Sequence, residues 1–433
     1  MSHRTGGRIL NVKALARVEG EGALHVAVRD NEVLDAKLQI YEPPRFFEAF
    51  LEGRDFREPP DITARICGIC PVAYQMSSCT AIESAFGVSV EGQLAELRRL
   101  LYCGEWIESH VLHIYMLHAP DFLGYPGAIE MAAEHRDLVQ RGLRMKKIGN
   151  QLMELVGGRA IHPVNVRIGG FYSSPDPERM REMLPDLRWA LDAAQETVDW
   201  VNTFSFPAYE GDWEFVSVVQ PDRYPIMGDR IRSASGVLDI PVAEFLDHFS
   251  EEHVAHSNAL HGKWDRGQYV VGPLARFANA QDQLPPGAAA AADRVDLHGE
   301  VRNPYKSIIV RAIEVVAAYE EAIRIIEDYV RPTAPAIPVR PRASVGHGVS
   351  EAPRGLLYHR YFLKDDGSID SCDIVPPTAQ NQPAIEHDLL HVVEDNLSLS
   401  DADLTHLCEQ TIRNYDPCIS CATHFLEIRR VDV

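Results

Sequence analysis

The reading starts from one stretch near the end of the chain, Asp416-Pro417-Cys418-Ile419-Ser420-Cys421-Ala422-Thr423-His424. Two cysteines three apart can aim both sulfurs at one point, so such a pair makes half of a four-thiolate metal site. The other C-x-x-C of the sequence lies in Arg65-Ile66-Cys67-Gly68-Ile69-Cys70. A zinc ribbon joins its two knuckles through roughly 15–20 residues. Here 347 residues lie between Cys70 and Cys418. A site closed by the two ends of a whole domain belongs at that domain's centre and is read as functional. Structural zinc is the bland reading of the same four residues.

Composition sets the outer limits. At 433 residues, 24% charged and 45% hydrophobic, the chain has an ordinary globular make-up and length enough for two or three domains. No apolar run reaches the ~18 residues needed to span a bilayer, and the start lacks a signal-peptide core, so a cytoplasmic protein without membrane insertion is expected. A net charge of −21 argues against nucleic acid or anionic lipid as the main ligand. The eight cysteines are too sparse for a disulfide framework, and the unpaired Cys79, Cys103, Cys372 and Cys408 read as buried and reduced.

Along the chain, residues 8–13 and 23–40 read as strands with Asp30-Asn31 as a hairpin turn. Before them lies Ala16-Arg17-Val18-Glu19-Gly20-Glu21-Gly22, where spacing alone makes Glu19 a solvated turn carboxylate. Helical spacing covers 45–58, with Glu48 among its aromatics, then 71–86, 92–119 (stopped by Pro120), 137–156, 177–204 and 304–330. His110 and His113 share a face of the 92–119 helix and read as core histidines. Pro285-Pro286-Gly287 and the alanines after it predict an exposed loop, and 331–353 an extended segment. Residues 357–376 predict a hairpin around Asp365-Asp366-Gly367. A last helix runs from Ser400, capped with Asp403, to Asn414. No internal repeat and no clean linker appear, so residues 1–433 are expected to form one integrated, helix-rich body.

Taken together, these residues resemble the large subunit of nickel–iron hydrogenases. R-x-C-G-x-C near the N-terminus paired with D-P-C-x-x-C-x-x-H near the C-terminus carries the likeness, and motifs between them fall in the right order. Tyr102 to Tyr125 and Gly158-Arg159-Ala160-Ile161-His162 look most like the cytoplasmic, NAD(P)-linked sulfhydrogenase alpha subunits. The implied fold is α+β and predominantly α, a central helical bundle with small peripheral sheets and the active site between the two C-x-x-C motifs.

The resemblance implies that Cys67, Cys70, Cys418 and Cys421 bind nickel, with Cys70 and Cys421 bridging to an iron that also holds CO and two cyanides. It makes Cys418 the terminal thiolate that accepts a proton from heterolytic H₂ cleavage and Glu19 its outward relay, reversing the spacing-only reading. Arg354 of the A-P-R-G motif and Thr378 are implied cyanide partners, with Asp416 beside Arg354. Glu48, His424 and the carbonyl of Ile374 match a magnesium position. Electrons are expected to leave through a small iron–sulfur subunit to flavin-containing NAD(P) diaphorase subunits. No further cysteine cluster and no G-x-G-x-x-G fingerprint exist in this chain.

The sequence departs from the family pattern at two positions. Tyr74 stands where many members have histidine, and Ser109 where membrane-associated relatives have a buried aspartate. Phe425 to Val433 look like the tail that maturation proteins and a C-terminal endopeptidase remove after nickel loading. Three further readings use the same motifs: an H₂ sensor or a subunit feeding heterodisulfide reductase, a respiratory subunit without its metal, and a zinc-stabilised interaction module.

Overall fold

The computed structural model describes residues 7–423. Nearly half of the chain is helical (48%) against 19% strand, which makes the fold predominantly α. At its centre, Gly92–Leu112 packs on Arg136–Gly157 and on Ser307–Glu327, which in turn packs on Leu184–Asn202. The first pair touches backbone to backbone. A Cβ on Gly104 would stand 3.0 Å from the Gly149 carbonyl oxygen, and one on Gly149 would stand 2.9 Å from that of Gly104. Ser307–Glu327 is buried nearly all round, as its run of isoleucine, valine and alanine demands.

Small, mostly antiparallel sheets surround this bundle. Arg8–Val12, Gly22–Arg29 and Glu32–Ile40 form one, turning at Asp30 (φ 51°) and Asn31 (φ 69°), which suits the hairpin signal. A second joins Ser344–Ala352, Gly355–Leu363 and Ile369–Val375. Its first strand lies flush on the helix Pro71–Phe86, because Gly346 and Gly348 have no side chain: a Cβ at Gly348 would meet the Ala81 nitrogen at 2.4 Å. Glu214–Val219, Arg230–Ser233, Asp239–Pro241 and Tyr269–Val270 build a third. One hydrophobic core runs from Leu10 to Ala422, with a smaller one under the third sheet.

The structure corrects several expectations. The expected helix 45–58 shrinks to Phe47–Leu51, because Gly53 (φ 75°) turns the chain to pair with a strand: the Gly53 N–H donates to the Ile369 carbonyl at 2.8 Å. Pro120 does not stop the long helix. His113–His118 widens into π-type turns, and Pro120 then lies in the first turn of Ala119–Leu123. The span 177–204 splits into Pro177–Arg181 and Leu184–Asn202, with Pro185 opening the second. The expected loop after Pro285 is the helix Pro286–Arg294, whose Ala288, Ala291 and Ala292 are buried. Glu320 of the neighbouring helix caps it by accepting from the Gly287 N–H at 2.9 Å. The helix Pro377–Asp395, with Pro383 inside it, is additional to the expected elements, with Ile385, Leu389, Val392 and Val393 buried at helical spacing.

Candidate metal centre

Each half of the site is set by how its helix begins or ends. Cys67 follows a 3₁₀ turn, Ala64–Ile66, and Cys70 stands immediately before Pro71 at the N-terminus of Pro71–Phe86. The free N–H groups of that terminus are taken by Glu105, which accepts from Val72 N at 2.5 Å and Ala73 N at 3.1 Å. The second half follows Asp401–Arg413, which begins at the predicted Ser400–Asp403 cap. Asp416 adopts φ 50°, which aspartate tolerates better than most residues, and swings Cys418 inward. Asp388 ties that turn down by accepting from Tyr415 Oη at 2.5 Å, Trp213 Nε1 at 3.0 Å and Tyr209 Oη at 2.9 Å.

The four sulfurs of Cys67, Cys70, Cys418 and Cys421 lie within 4.8 Å of one another and all four residues are buried. Cys67 Sγ is 3.4 Å from Cys418 Sγ, Cys70 Sγ is 3.5 Å from Cys421 Sγ, and Cys418 Sγ is 2.8 Å from Cys421 Sγ. Hydrogen bonding from Cys418 holds the Cys67 thiol well below its ordinary range, and the Ile69 and Cys70 N–H groups also point at its sulfur. Burial pushes Cys418 and Cys421 up. Four thiolates packed this closely need cations, and an all-sulfur donor set favours soft transition metals. Cys79, Cys103 and Cys408 are buried and Cys372 half-buried, all unpaired, so this is the one thiol cluster among the described residues.

Glu19 belongs to this centre. Its backbone forms a parallel bridge with Cys418, and its carbonyl accepts from Ile419 N at 3.0 Å. Gly20 at φ 90° permits this approach, since a Cβ there would stand 2.6 Å from Ile419 Cβ. Glu19 Oε2 is consequently 3.1 Å from Cys418 Sγ and accepts from Ser420 N at 3.0 Å. Burial, then the negative Cys67, raises its carboxyl above the usual range.

Arg354 is buried on the other side of the cysteines' surround. Its Nε donates to the Asp416 carbonyl at 2.6 Å and its Nη2 to Asp416 Oδ1 at 3.0 Å, as expected of that pair. Its Nη1 is buried without a partner among the described residues, an orphaned donor that fits an acceptor carried by a bound group. The loop bearing Arg354 is held by Arg276, which donates to the Ala352 carbonyl at 2.9 Å and the Pro353 carbonyl at 3.1 Å. Gly272 (φ 111°) and Gly355 (φ 134°) let the two segments touch. The Thr378 hydroxyl accepts from Cys418 N at 3.0 Å, which leaves its own proton to donate elsewhere. Tyr74 is buried against the cluster, where desolvation and then Cys421, Cys70 and Cys418 hold its phenol protonated. The Ser109 hydroxyl is buried without a partner among the described residues.

At the second expected cation position the structure places Glu48 beside Ile374. Glu48 Oε1 accepts from Ile374 N at 2.8 Å, and burial raises its carboxyl to about 7. Sequence reasoning missed Glu251 beside it: its Oε1 is buried without a partner among the described residues, and burial, then Glu48 and Asp373, pushes its carboxyl well up. Carboxylates gathered this way fit a hard divalent cation. His424, expected to complete the position, lies outside the described residues, as do Phe425 to Val433.

Also missed were Glu105, Arg276 and Asp388, which hold the site from behind. The one available signal was that charged residues interrupt otherwise apolar or amphipathic segments.

Comparison with known proteins agrees with the geometry. The sequence profile of the nickel-dependent hydrogenases matches residues 45–144 and 255–424. The chain is 34% identical to sulfhydrogenase 1 subunit alpha of Pyrococcus furiosus, covering 97% of this chain and 98% of that protein. It is 29% identical to the NAD-reducing hydrogenase HoxS subunit beta of Cupriavidus necator, over 97% and 95%. It superposes on a crystal structure of an NAD⁺-reducing [NiFe]-hydrogenase in the H₂-reduced state with a TM-score of 0.88 at 27% identity, covering 96% and 99% of the two chains. With both its ends closing one four-sulfur centre and its whole length aligned to such relatives, the chain belongs to the family of nickel-dependent hydrogenases.

Proposed function

We propose that this chain is the catalytic subunit in which H₂ is split heterolytically, with Cys67, Cys70, Cys418 and Cys421 holding a nickel–iron centre. The observation that supports it best is Glu19 Oε2 at 3.1 Å from Cys418 Sγ, inside a buried set of four sulfurs. When bound, the centre supplies a thiolate-ligated nickel beside an iron with CO and two cyanides, an electrophilic place for H₂. The residues of this chain do the rest. Cys418 Sγ takes the proton, and Glu19, its carboxyl raised by burial, receives it within hydrogen-bond reach and hands it outward. Asp416 fixes the Arg354 guanidinium beside the sulfurs, and the free Nη1 of Arg354 and the Thr378 hydroxyl are donors for the cyanides. Glu48 and the Ile374 carbonyl, with His424 as expected from the sequence, would hold magnesium.

Electrons must leave through another protein, since the described residues offer no second thiol cluster. The reading is therefore of a cytoplasmic complex with an iron–sulfur small subunit and a flavoprotein that passes electrons to NAD(P)⁺. The name of the NAD-reducing relative supports that acceptor. No helix of the described residues is long and apolar enough to cross a membrane. The tail 425–433 is read as a maturation segment. The test is H₂-dependent reduction of NAD⁺ and NADP⁺ by the purified complex. Turnover that disappears in Cys418→Ser supports the reading, and a complex inert to H₂ while carrying stoichiometric nickel contradicts it.

A further inference from the structure

A second group of metal-ligating side chains lies apart from the cysteines, where a surface loop meets the helix Pro377–Asp395. The strands Phe249–Glu252 and His261–Trp264 form a hairpin whose connection, residues 253–260, lies beside Glu32–Ile40: Asn258 N donates to the Ile40 carbonyl at 2.7 Å. His256 from that connection, His261 from the second strand and Glu386 from the helix place one donor atom each within 4.8 Å of the others. His256 Nε2 and Glu386 Oε1 are 2.7 Å apart, and their side chains are 19% and 18% exposed. His261 is only 5% exposed, and its Nε2 is buried without a partner among the described residues. A buried imidazole nitrogen left without a partner costs free energy unless something fills it.

We propose that His256, His261 and Glu386 form a divalent transition-metal site, best suited to Zn²⁺. Two imidazoles and one carboxylate are a zinc donor set, whereas magnesium and calcium prefer oxygen alone. Ligands about 2.0–2.1 Å from zinc stand about 3.4 Å apart in a tetrahedron, so the trio needs only small side-chain movements to close. Glu386 is already aimed, because its Oε1 also accepts from Leu38 N at 3.0 Å. The fourth position is left to water.

The ion clips the 253–260 connection onto the helix Pro377–Asp395, whose first turn carries Thr378. The same connection reaches towards the nickel-site end of the chain: Asn258 Nδ2 donates to the Glu42 carbonyl at 3.2 Å, and Glu42 Oε1 accepts from Ser420 Oγ at 2.8 Å. The site is thus structural, clipping two outer segments together without touching the reacting atoms. It stands independently of the hydrogenase reading.

The test uses the purified holoenzyme complex, freed of loose metal by chelator and dialysed against buffered Zn²⁺, with nickel, iron and zinc counted together. One zinc per catalytic chain is expected in the wild type. His261→Gln and Glu386→Gln are expected to weaken zinc binding at least ten-fold while nickel, iron and H₂ turnover stay unchanged. Crystals of the complex soaked with zinc and measured on both sides of its absorption edge should place the ion between the three side chains. Equal zinc in wild type and His261→Gln overturns the proposal, as does a zinc-soaked crystal with no anomalous peak there. Either result makes the trio a hydrogen-bonded ion pair only.

Discussion

Replacing Glu19 with glutamine separates proton carriage from geometry. The glutamine oxygen can still accept from Ser420 N, the contact Glu19 Oε2 makes at 3.0 Å, so the bridge between the Glu19 segment and Cys418 should stand. What is lost is a group that can be both charged and protonated at 3.1 Å from Cys418 Sγ. Positioned acid–base groups contribute roughly 10²–10⁴-fold, so H/D exchange and H₂ oxidation should fall by about that factor. Glu19→Asp withdraws the carboxylate by one methylene, more than a hydrogen bond tolerates, and should fall between the two through an inserted water. The assay is mass-spectrometric H₂/D₂O exchange in the purified complex, with nickel and iron measured on the same sample. Exchange by Glu19→Gln at the wild-type rate, with both metals present, would refute the proposed proton route. Loss of metal together with activity would instead give Glu19 a structural role at Cys418.

Other consequences follow from the groups behind the site. Arg276 is buried between Glu314, at 2.7 Å, and Glu351, at 2.9 Å, so Arg276→Met strands two carboxylates and should cost about 3–5 kcal/mol, read as a lower melting temperature. Adding Glu314→Gln should restore part of that loss, and a single variant as stable as wild type contradicts the account. Gly104→Leu should also destabilise, by at least the 1–3 kcal/mol typical of overpacking, because a Cβ there already meets Gly149 at 3.0 Å. Thermal scans would show it, and an unchanged midpoint would mean the helices can separate freely. Stability should fall in acid in two steps. Burial lowers His110 from 6.5 to about 4, so the unfolded chain binds a proton first as pH drops below about 6.5. Burial opposes ionisation of Glu314, yet Arg276 and His110 hold it down to about 2, so its contribution is complete above 4.5 and is lost below. The raised carboxyls of Glu48 and Glu251 act in the opposite sense, so the check is a difference: His110→Gln should lose less stability than wild type between pH 7 and pH 4, and an equal loss would contradict this reading.

How much of this was legible in the sequence differs between elements for physical reasons. The cysteines were readable because their spacing is itself the chemistry. The hairpin at Asp30-Asn31 and the cap at Ser400 were readable because turn and cap residues act locally. The Phe47–Leu51 segment, Pro120 and the alanine helix after Pro285 were misread because distant partners decide them: the Ile369 strand, the widened turns before Pro120 and the Glu320 carboxylate. Pro377–Asp395 hid because its first turns are polar and buried, with Gln380, Asn381 and Gln382 facing the interior. Glu19 shows the same limit from the other side. Its turn looks solvated until the end of the chain folds onto it, and that contact spans 399 positions. The positioning residues Glu105, Arg276 and Asp388 have no motif at all. Their roles exist only once three or four segments have met.

The central claim, that the four cysteines hold a nickel–iron centre, is tested most directly by infrared spectroscopy of the purified complex with nickel and iron assayed on the same sample. The account predicts one CO band and two cyanide bands, with one nickel and one iron per chain. A blank spectrum from protein carrying zinc at Cys67, Cys70, Cys418 and Cys421 would contradict it.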